Sequence, residues 1–331
     1  MKILLIGEVT GNTGPSNVHK SLVEYWPSCD SIRPLYSKSK ISKLYEAISE
    51  GLQSDVIVSC GAGWTDIIAH RVLSAFGKPV ICFNHGYVPF ENEINGLGYS
   101  DRTVKAIIKH LRTADLIVAN SSLQENFVKK QLPECSDKVK HVCLGVKRFK
   151  QCGFEGQREN IVAVSGGTRP IKANEIVAKA VSILRDRGVD CSLRVYGRRY
   201  SDNSSLDNLM ASADGEYRGQ VASDQFVNEL RECSVFVMNS RHEPFGLSAL
   251  DAIEAGCSLL LSTNCGIAEV MSIQGSDVVK NCEDPIEVAD KIEGLLRAPN
   301  SKRLFDSIDF DECSWTKTAE TLRNYCAEVL G

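Results

Sequence analysis

The stretch that most constrains the fold is residues 234–263, where four local patterns follow one another without a break. Residues 234–239 are apolar and rich in Val and Phe, which is typical of a buried strand. After a polar loop, the apolar residues recur at helical spacing from Phe245 to residues 255–256, an Ala-Gly pair that is typical of a helix end. A second apolar run at residues 257–262 predicts another strand. We therefore expect a strand–loop–helix–strand unit in this stretch.

Two acidic residues bracket the turn from loop to helix in this stretch. Glu243 lies in the loop, and Asp251 lies eight positions later, with Pro-Phe-Gly-Leu-Ser-Ala-Leu between them. The spacing resembles the E-x7-E signature of the retaining family 4 (group 1) glycosyltransferases, which have the GT-B fold. In that family the first acid binds hydroxyls of the donor sugar and the second binds the ribose hydroxyls.

The second acid of the family signature is Glu, whereas this chain has Asp. An Asp carboxylate can still accept hydrogen bonds from two ribose hydroxyls, so Asp251 keeps that predicted role and Glu254, one turn on, is an alternative. A structural explanation also stays open for both acids of the signature, because an acid near a helix start is often only a favourable partner of the helix dipole.

Length and composition indicate a two-domain globular protein. A chain of 331 residues is long enough for two domains of ordinary size. No apolar run approaches the ~18 residues of a membrane span, and the first strand-like run becomes charged too soon for a signal peptide. The 13 cysteines include no C-x2-C pair, which favours reduced, buried thiols over disulfides or a metal site. We expect a cytoplasmic protein with no metal and no cofactor.

Charge is distributed unevenly along the chain. Residues 1–150 contain 19 Lys and Arg against 14 Asp and Glu, and residues 151–331 contain 19 against 28, which suggests two domains that face different partners. In the first half, Lys105, Lys109 and Arg112 share one face of an amphipathic helix. This is typical of a surface helix, but such a helix can also bind an anionic membrane, here the inner face of the plasma membrane. No nucleic-acid partner is expected.

A glycine-rich turn follows the first predicted strand, at residues 11–17. Glycines let backbone N–H groups approach an anion closely, and Pro15 suits the first position of a helix. The spacing is not G-x-G-x-x-G, which disfavours a dehydrogenase. The resemblance implies that this turn, with Gly14, closes over the donor diphosphate; a plain glycine turn is the alternative.

A second turn, at residues 165–172, contains two cations beside a predicted helix start. Pro170 suits the first helical position, which places Arg169 and Lys172 at the helix end that disfavours positive charge. A bound anion would remove this conflict. The resemblance implies that the two side chains bind the donor diphosphate, with Gly167 in the turn. Solvated surface charges are the alternative.

A histidine ends the strand predicted at residues 79–84. The carboxyl end of a parallel strand is where open α/β sheets bind ligands. The resemblance implies that His85 contacts the donor sugar or helps to position the acceptor, although a lone His is otherwise commonly structural. Residues 88–95 are expected to form a polar, aromatic loop that walls the acceptor site.

The resemblance assigns further donor-binding positions. A short strand and turn are expected to place backbone groups beside the nucleobase, and the amides at the start of the central helix are expected to stabilise the leaving diphosphate. These positions are Gly197, Gln220, Val221, Phe245, Gly246 and Leu247. No residue is an obvious covalent nucleophile.

The chain therefore predicts an α/β protein of the GT-B type, with two doubly wound parallel-sheet (Rossmann-like) domains facing across a cleft. The acceptor-side domain is expected at residues 1–150 and the nucleotide-sugar-binding domain at 158–312. A linker joins them at 147–158, and a C-terminal helix at 314–331 packs back on the first domain.

The expected function is retaining, metal-independent transfer of a hexosyl or N-acetylhexosaminyl group from a nucleotide sugar, expected to be a UDP-sugar. The acceptor is expected to be a hydroxyl of a glycan, lipid-linked or glycoconjugate molecule in polysaccharide or glycoconjugate biosynthesis. A non-catalytic nucleotide-sugar-binding subunit that supports a partner transferase is the alternative, and an epimerase on the same architecture is a third possibility.

Overall fold

The computed structural model describes residues 1–11, 13–37, 39–150, 158–200 and 204–331. Contacts between Cα atoms divide the chain into two compact units. Unit 1 comprises Met1–Lys147 and Phe310–Gly331, and unit 2 comprises Arg148–Asp309. The C-terminal segment thus belongs to the same unit as the N-terminal half. Most of the predicted linker, residues 151–157, lies outside the described residues.

Unit 1 is built on a parallel sheet of six strands, within the described part of the chain, in the order β2-β1-β3-β4-β5-β6. Its strands are β1 (Lys2–Ile6), β2 (Ser31–Pro34), β3 (Val56–Ser59), β4 (Val80–Asn84), β5 (Leu116–Ala119) and β6 (Val139–His141). The helices between them are α1 (Gly14–Glu24), α2 (Lys40–Gln53), α3 (Trp64–Ala75), α4 (Val88–Asn95), α5 (Asp101–Thr113) and α6 (Ser122–Gln131).

Unit 2 repeats this plan with the strand order β12-β11-β10-β7-β8-β9. Its strands are β7 (Glu159–Val164), β8 (Ser192–Tyr196), β9 (Gly215–Gly219), β10 (Cys233–Met238), β11 (Ser258–Ser262) and β12 (Val278–Val279). The helices that follow Arg148 are α7 (Asn174–Asp186), α8 (Ser204–Met210), α9 (Ser223–Leu230), α10 (Leu247–Ala255), α11 (Pro285–Arg297), α12 (Ser301–Asp306) and, in unit 1, α13 (Trp315–Glu328).

The central strands explain why both sheets are parallel. Strands β3, β4 and β5 are almost continuously apolar, and every one of their residues is buried. Such strands occur where helices cover both faces of a sheet. The two doubly wound parallel sheets predicted from the sequence are confirmed.

The strand–loop–helix–strand segment predicted at residues 234–263 is also confirmed, as β10, α10 and β11. The helix begins after Gly246 (φ +112°) and ends at Gly256 (φ +82°), and both are left-handed conformations that disfavour any side chain. Both ends of this helix therefore depend on glycine.

Each sheet has one point at which the strand order reverses. In unit 1 this point lies between β1 and β3, and in unit 2 it lies between β7 and β10. Loops leave such a neighbouring pair of strands in opposite directions, which opens a crevice at their carboxyl ends where ligands bind. In unit 2 the crevice is flanked by residues 165–172 after β7 and residues 239–246 after β10.

The loop predicted at residues 88–95 is wrong, because these residues form α4. Pro89 fits the first turn of this helix, Glu91 lies favourably at its positive end, and Gly96 ends it with φ +60°. Phe90 packs against the core of unit 1. The polar residues that suggested a loop lie on a short helix instead.

The amphipathic helix predicted to carry Lys105, Lys109 and Arg112 on one face is confirmed as α5. Its apolar residues Ile107 and Leu111 are buried within unit 1, whereas Lys105, Lys109 and Arg112 are exposed. None of the described helices is both long enough and apolar enough to cross a membrane.

The last helix, α13, is held against unit 1 by direct contact with a glycine. A Cβ built on Gly145 would lie 2.5 Å from both the Cα and ring atoms of Trp315, which is buried. Thr318 adds a hydrogen bond from its hydroxyl to the carbonyl oxygen of Cys143 at 2.7 Å. The helix can pack this closely only because position 145 has no side chain.

We therefore expect Gly145→Ala to destabilise the protein by about 1–3 kcal/mol, because the added methyl must displace α13. The matched control is Gly294→Ala in α11, where a Cβ would meet open space. That change is expected to stabilise by about 0.5–1 kcal/mol through helix propensity. Thermal melting of both variants checks the opposite signs, and equal effects would contradict the close approach.

Candidate functional site

Two glycines let the turns after β7 and β8 touch through their backbones. Gly167 has φ +63°, and its N–H donates to the carbonyl oxygen of Tyr196 at 2.7 Å. A Cβ on Gly167 would lie 2.0 Å from the carbonyl oxygen of Arg198, and one on Gly197 would lie 2.5 Å from the Gly167 nitrogen. A side chain at either position would push the two turns apart.

Hydrogen bonds extend this contact to the turn after β9. The N–H of Gly197 donates to the carbonyl oxygen of Gly219 at 2.7 Å, and Nε of Arg198 donates to Oε1 of Gln220 at 2.6 Å. Val221 follows in the same turn. The structure thus brings the predicted donor residues Gly167, Gly197 and Gln220 together at the carboxyl ends of three neighbouring strands.

The helix predicted to begin at Pro170 begins later. Pro170–Lys172 form a single 3-10 turn, and α7 begins only at Asn174. Between them Ala173 is fully buried and left-handed (φ +50°), which is uncommon for a residue with a side chain. The side-chain amide of Asn174 donates to the carbonyl oxygens of Ser165 at 3.0 Å and Gly167 at 2.8 Å. The predicted start was wrong because these bonds hold the beginning of the helix against the turn.

An ion pair joins the two sides of the crevice. Nζ of Lys172 contacts Oε2 of Glu243, and the two side chains are only 16% and 14% exposed. The stem of Lys172 lies over Gly166, where a Cβ would be 2.6 Å from its Cγ. Two residues that the sequence singled out separately are therefore direct partners.

The loop that carries Glu243 is held on its other side by backbone hydrogen bonds. The N–H of Glu243 donates to the carbonyl oxygen of Asn264 at 2.8 Å, and Gly266 donates back to Glu243 at 3.0 Å. Ile267 donates to the carbonyl oxygen of Phe245 at 2.7 Å. These bonds fix the position of the Glu243 backbone before any ligand binds.

Arg241 binds the same loop to the turn after β7, and no sequence pattern indicated this role. Its N–H donates to the carbonyl oxygen of Ile171 at 2.8 Å, and its guanidinium donates to that of Pro170. The guanidinium also pairs with Glu175 at 2.7 Å and Glu283 at 2.6 Å. Because these partners lie 42 to 71 positions away, no local pattern points to Arg241.

Arg169 differs from its neighbours because no carboxylate of the described residues pairs with it. Its guanidinium carbon lies 5.8 Å from the ring centroid of Tyr200. Its Nε is buried and has no hydrogen-bond partner in the described part of the chain. A buried cationic donor without a partner is unfavourable, so this group has the strongest need for an anion.

The start of α10 adds backbone donors to this edge. The first bond of the helix runs from the N–H of Ala249 to the carbonyl oxygen of Gly246 at 3.0 Å, so the amides before it have no acceptor within the helix. Leu247 lies at the positive end of the helix dipole, and Phe245, just before it, is buried.

Asp251 lies about one turn into α10. Burial, and then the neighbouring carboxyl of Glu254, raise the pKa of Asp251 to about 7. Burial also raises the pKa of Glu254. Near neutral pH Asp251 therefore changes between a hydrogen-bond acceptor and a hydroxyl donor, and both forms can bind hydroxyl groups.

The remaining predicted residues, His85 and Gly14, belong to unit 1. Nε2 of His85 lies 2.8 Å from Nε2 of His19, and its Nδ1 lies 3.3 Å from Nδ2 of Asn120. Both ring nitrogens of His85 thus have protein partners, and burial lowers its pKa well below the usual range. Gly14 is the first residue of α1 and has open space where a Cβ would lie.

Comparison with protein families decides the identity of the chain. Residues 99–322 match the family described as family 4 glycosyltransferases in conflict systems. The chain belongs to this family. Among curated proteins it is similar to the D-inositol 3-phosphate glycosyltransferase of Streptomyces scabiei, with 27% identity over 180 residues, 47% of this chain and 40% of that one. The chain therefore matches less than half the length of that relative.

Solved glycosyltransferase structures resemble this family 4 chain along its whole length. HepE of Anabaena, in complex with UDP and glucose, has a TM-score of 0.73 at 13% identity and covers 100% of this chain and 99% of its own. Sucrose-phosphate synthase of Thermosynechococcus elongatus has a TM-score of 0.75 at 14% identity, with 99% of both chains covered. The predicted GT-B fold is confirmed.

For this family 4 glycosyltransferase we expect Asp251→Asn to raise stability in a pH-dependent way. An Asp titrates near pH 3.9 in an unfolded chain, whereas Asp251 titrates at about 7 in the folded one. Asp251 therefore favours the unfolded state increasingly as the pH rises through this range. Removing its charge should stabilise the protein by about 1–4 kcal/mol at pH 8 and little at pH 4.

Melting temperatures of the Asp251→Asn variant at pH 8 and pH 4 measure this effect. Asp290→Asn is the control, because Asp290 is exposed on α11 and pairs with Arg187 at the surface. It should show no such gain. A gain for Asp251→Asn that is equal at both pH values would contradict the raised pKa.

Proposed function

We propose that the chain transfers a sugar, with retention, from a nucleotide-sugar donor to a hydroxyl of a glycan, lipid-linked or glycoconjugate acceptor. The observation that supports it most is a group of hydrogen-bond donors at the crevice of unit 2. The cations Arg169 and Lys172 and the backbone amides at the start of α10 flank Glu243 there. Family membership supports this proposal. HepE was solved with UDP-glucose, so UDP-sugars of hexoses and N-acetylhexosamines are the first donors to test.

The proposed chemistry depends on charge that develops as the glycosidic bond breaks. Negative charge then builds on the leaving diphosphate. Arg169, Lys172 and the amides at Phe245–Leu247 would stabilise it through charge-assisted hydrogen bonds. Because these donors are held in place before the reaction, they need little reorganisation during it. We propose on this basis that added Mg²⁺ or Mn²⁺ is not required.

Lys172 can serve two partners at once in this scheme. Its ammonium group has three donors, so it can bind Glu243 and a phosphate oxygen together. Glu243, oriented by that contact and by its backbone bonds, would accept hydroxyls of the donor sugar. Asp251 would bind the ribose, and the backbone at Gln220–Val221 would read the base edge. A contact of His85 with the sugar or the acceptor stays a prediction.

We expect Lys172→Ala to lower kcat about 10²–10³-fold, which is typical of losing one preorganised charge contact. Release of UDP from a panel of UDP-sugars, with and without acceptor hydroxyls, measures it. Lys179→Ala, at an exposed position of α7, is the control and should keep full activity. Because Lys172→Ala leaves Glu243 without its partner, Lys172→Gln is assayed as a second variant. Thermal melting of Lys172→Gln should show that its loss of activity does not reflect unfolding.

Unchanged turnover in Lys172→Ala would contradict the diphosphate role. The melting temperature of the unmodified chain, measured with and without UDP, distinguishes the remaining alternatives. A shift without UDP release from any sugar donor would favour the non-catalytic binding subunit, and sugar conversion without an acceptor would favour an epimerase.

Association with an anionic membrane stays a prediction, and the structure limits the forces that could produce it. Because α5 buries its apolar face in unit 1, Lys105 and Lys109 offer only electrostatic attraction, and Arg112 already pairs with Glu134. We expect weak sedimentation with phosphatidylserine vesicles at low salt, and none at high salt. Neutral vesicles are the control, and binding that is insensitive to salt would contradict this contact.

A further inference from the structure

Three side chains that commonly bind metals meet at the crevice of unit 1. His19 comes from α1, Cys60 follows β3 and His85 follows β4. One nitrogen of each imidazole and the Cys60 sulfur all lie within 4.8 Å of one another. His19 and Cys60 are buried, whereas His85 is partly exposed. The group therefore lies at the edge of the core of unit 1.

The two imidazoles are oriented as metal ligands usually are. Their Nε2 atoms face each other at 2.8 Å. Their other nitrogens are held by the protein, with Nδ1 of His19 2.9 Å from the carbonyl oxygen of Glu8 and Nδ1 of His85 3.3 Å from the Asn120 amide. A histidine that binds a metal through one nitrogen typically has its other N–H fixed by a carbonyl or similar group.

Without an ion, the hydrogen bonds determine where the protons lie. The carbonyl of Glu8 can only accept, so Nδ1 of His19 carries a proton and its Nε2 is an acceptor. Nε2 of His85 must then donate to His19, and Nδ1 of His85 accepts from the amide of Asn120. Both rings are neutral, in agreement with burial that lowers the pKa of each.

We propose that His19, Cys60 and His85 form a site for a borderline-soft divalent cation, of which zinc is the fitting class. Imidazole nitrogen and thiolate sulfur are the ligands that zinc prefers. Two nitrogens about 2.0–2.1 Å from a tetrahedral ion are ~3.3 Å apart, so the rings need to separate by only about half an ångström. Three protein ligands leave the fourth position open to water or a ligand oxygen.

Binding requires two proton movements and one amide rotation. Cys60 releases its proton to solvent, and His85 transfers its proton from Nε2 to Nδ1 through solvent exchange. The amide of Asn120 then turns so that its oxygen accepts from that Nδ1–H. This oxygen is buried and has no hydrogen-bond partner within the described residues, so the rotation breaks no bond at the oxygen. Amide orientation of this kind is set by the surrounding hydrogen bonds.

A second group of the same composition lacks this geometry. His70 in α3, Cys82 in β4 and His110 in α5 also have one ligand atom each within 4.8 Å of the others. His110 sits in the middle, with Nδ1 2.8 Å from Nδ1 of His70 and Nε2 3.3 Å from the sulfur of Cys82. Opposite nitrogens of one ring cannot bind the same ion. This group is a buried hydrogen-bonded chain, at most 3% exposed at each residue.

The two groups provide a matched experiment on the full chain. After removal of bound metal with a chelator, Co²⁺ is titrated and absorption is recorded, and Zn²⁺ then competes for the site. We expect one Co²⁺ per chain, with tetrahedral bands and a thiolate-to-cobalt charge-transfer band in the near ultraviolet. Cys60→Ser should lose the charge-transfer band and bind Zn²⁺ at least about tenfold more weakly, whereas Cys82→Ser should keep both.

Other results would overturn the proposal. These are the absence of stoichiometric Co²⁺ binding, loss of the band in Cys82→Ser instead of Cys60→Ser, or retention of the band in both variants. His19→Gln is a second variant that removes one nitrogen without touching a thiol, and it should also weaken Zn²⁺ binding. Circular dichroism of each metal-free variant shows that it is folded before titration.

Discussion

The ion pair between Lys172 and Glu243 is the interaction on which the candidate site depends. Its members come from the turns on the two sides of the unit 2 crevice, and both side chains are mostly buried. A poorly solvated charge is tolerated only where an opposite charge compensates it. The pair therefore holds the turns together, and it leaves Arg169 as the neighbouring cation whose buried Nε still lacks a partner among the described residues.

The fold could be predicted because its signals are local. Apolar strands and the glycine at position 256 indicated the β10–α10–β11 unit from adjacent residues alone. The short helix α4 was missed because its polar residues resemble a loop, and the start of α7 was missed because it depends on contacts of Asn174 with a turn several residues earlier. Local composition cannot indicate a helix start that is set by contacts between the helix and an earlier turn.

The candidate site was predicted less completely, because several contacts join distant residues. Glu243 and Lys172 were singled out by motif, but their pairing across 71 positions was not. His19 was not singled out at all, since its partner His85 lies 66 positions away. In unit 2 the crevice thus contains charged side chains, and in unit 1 the imidazoles beside the crevice are uncharged. The same topology supports two different chemistries because each depends on a few side chains at strand ends.

The contacts of Arg241 make the two sides of the unit 2 crevice unequal in their tolerance of mutation. On one side, Arg241 binds the carbonyl oxygens of Pro170 and Ile171, which any residue at those positions would supply. On the other, a substitution of Arg241 removes the guanidinium and leaves Glu175 and Glu283 without their shared cation. Substitutions at positions 170 and 171 can therefore keep these two backbone contacts, whereas a substitution at position 241 leaves the mostly buried Glu175 without its cation.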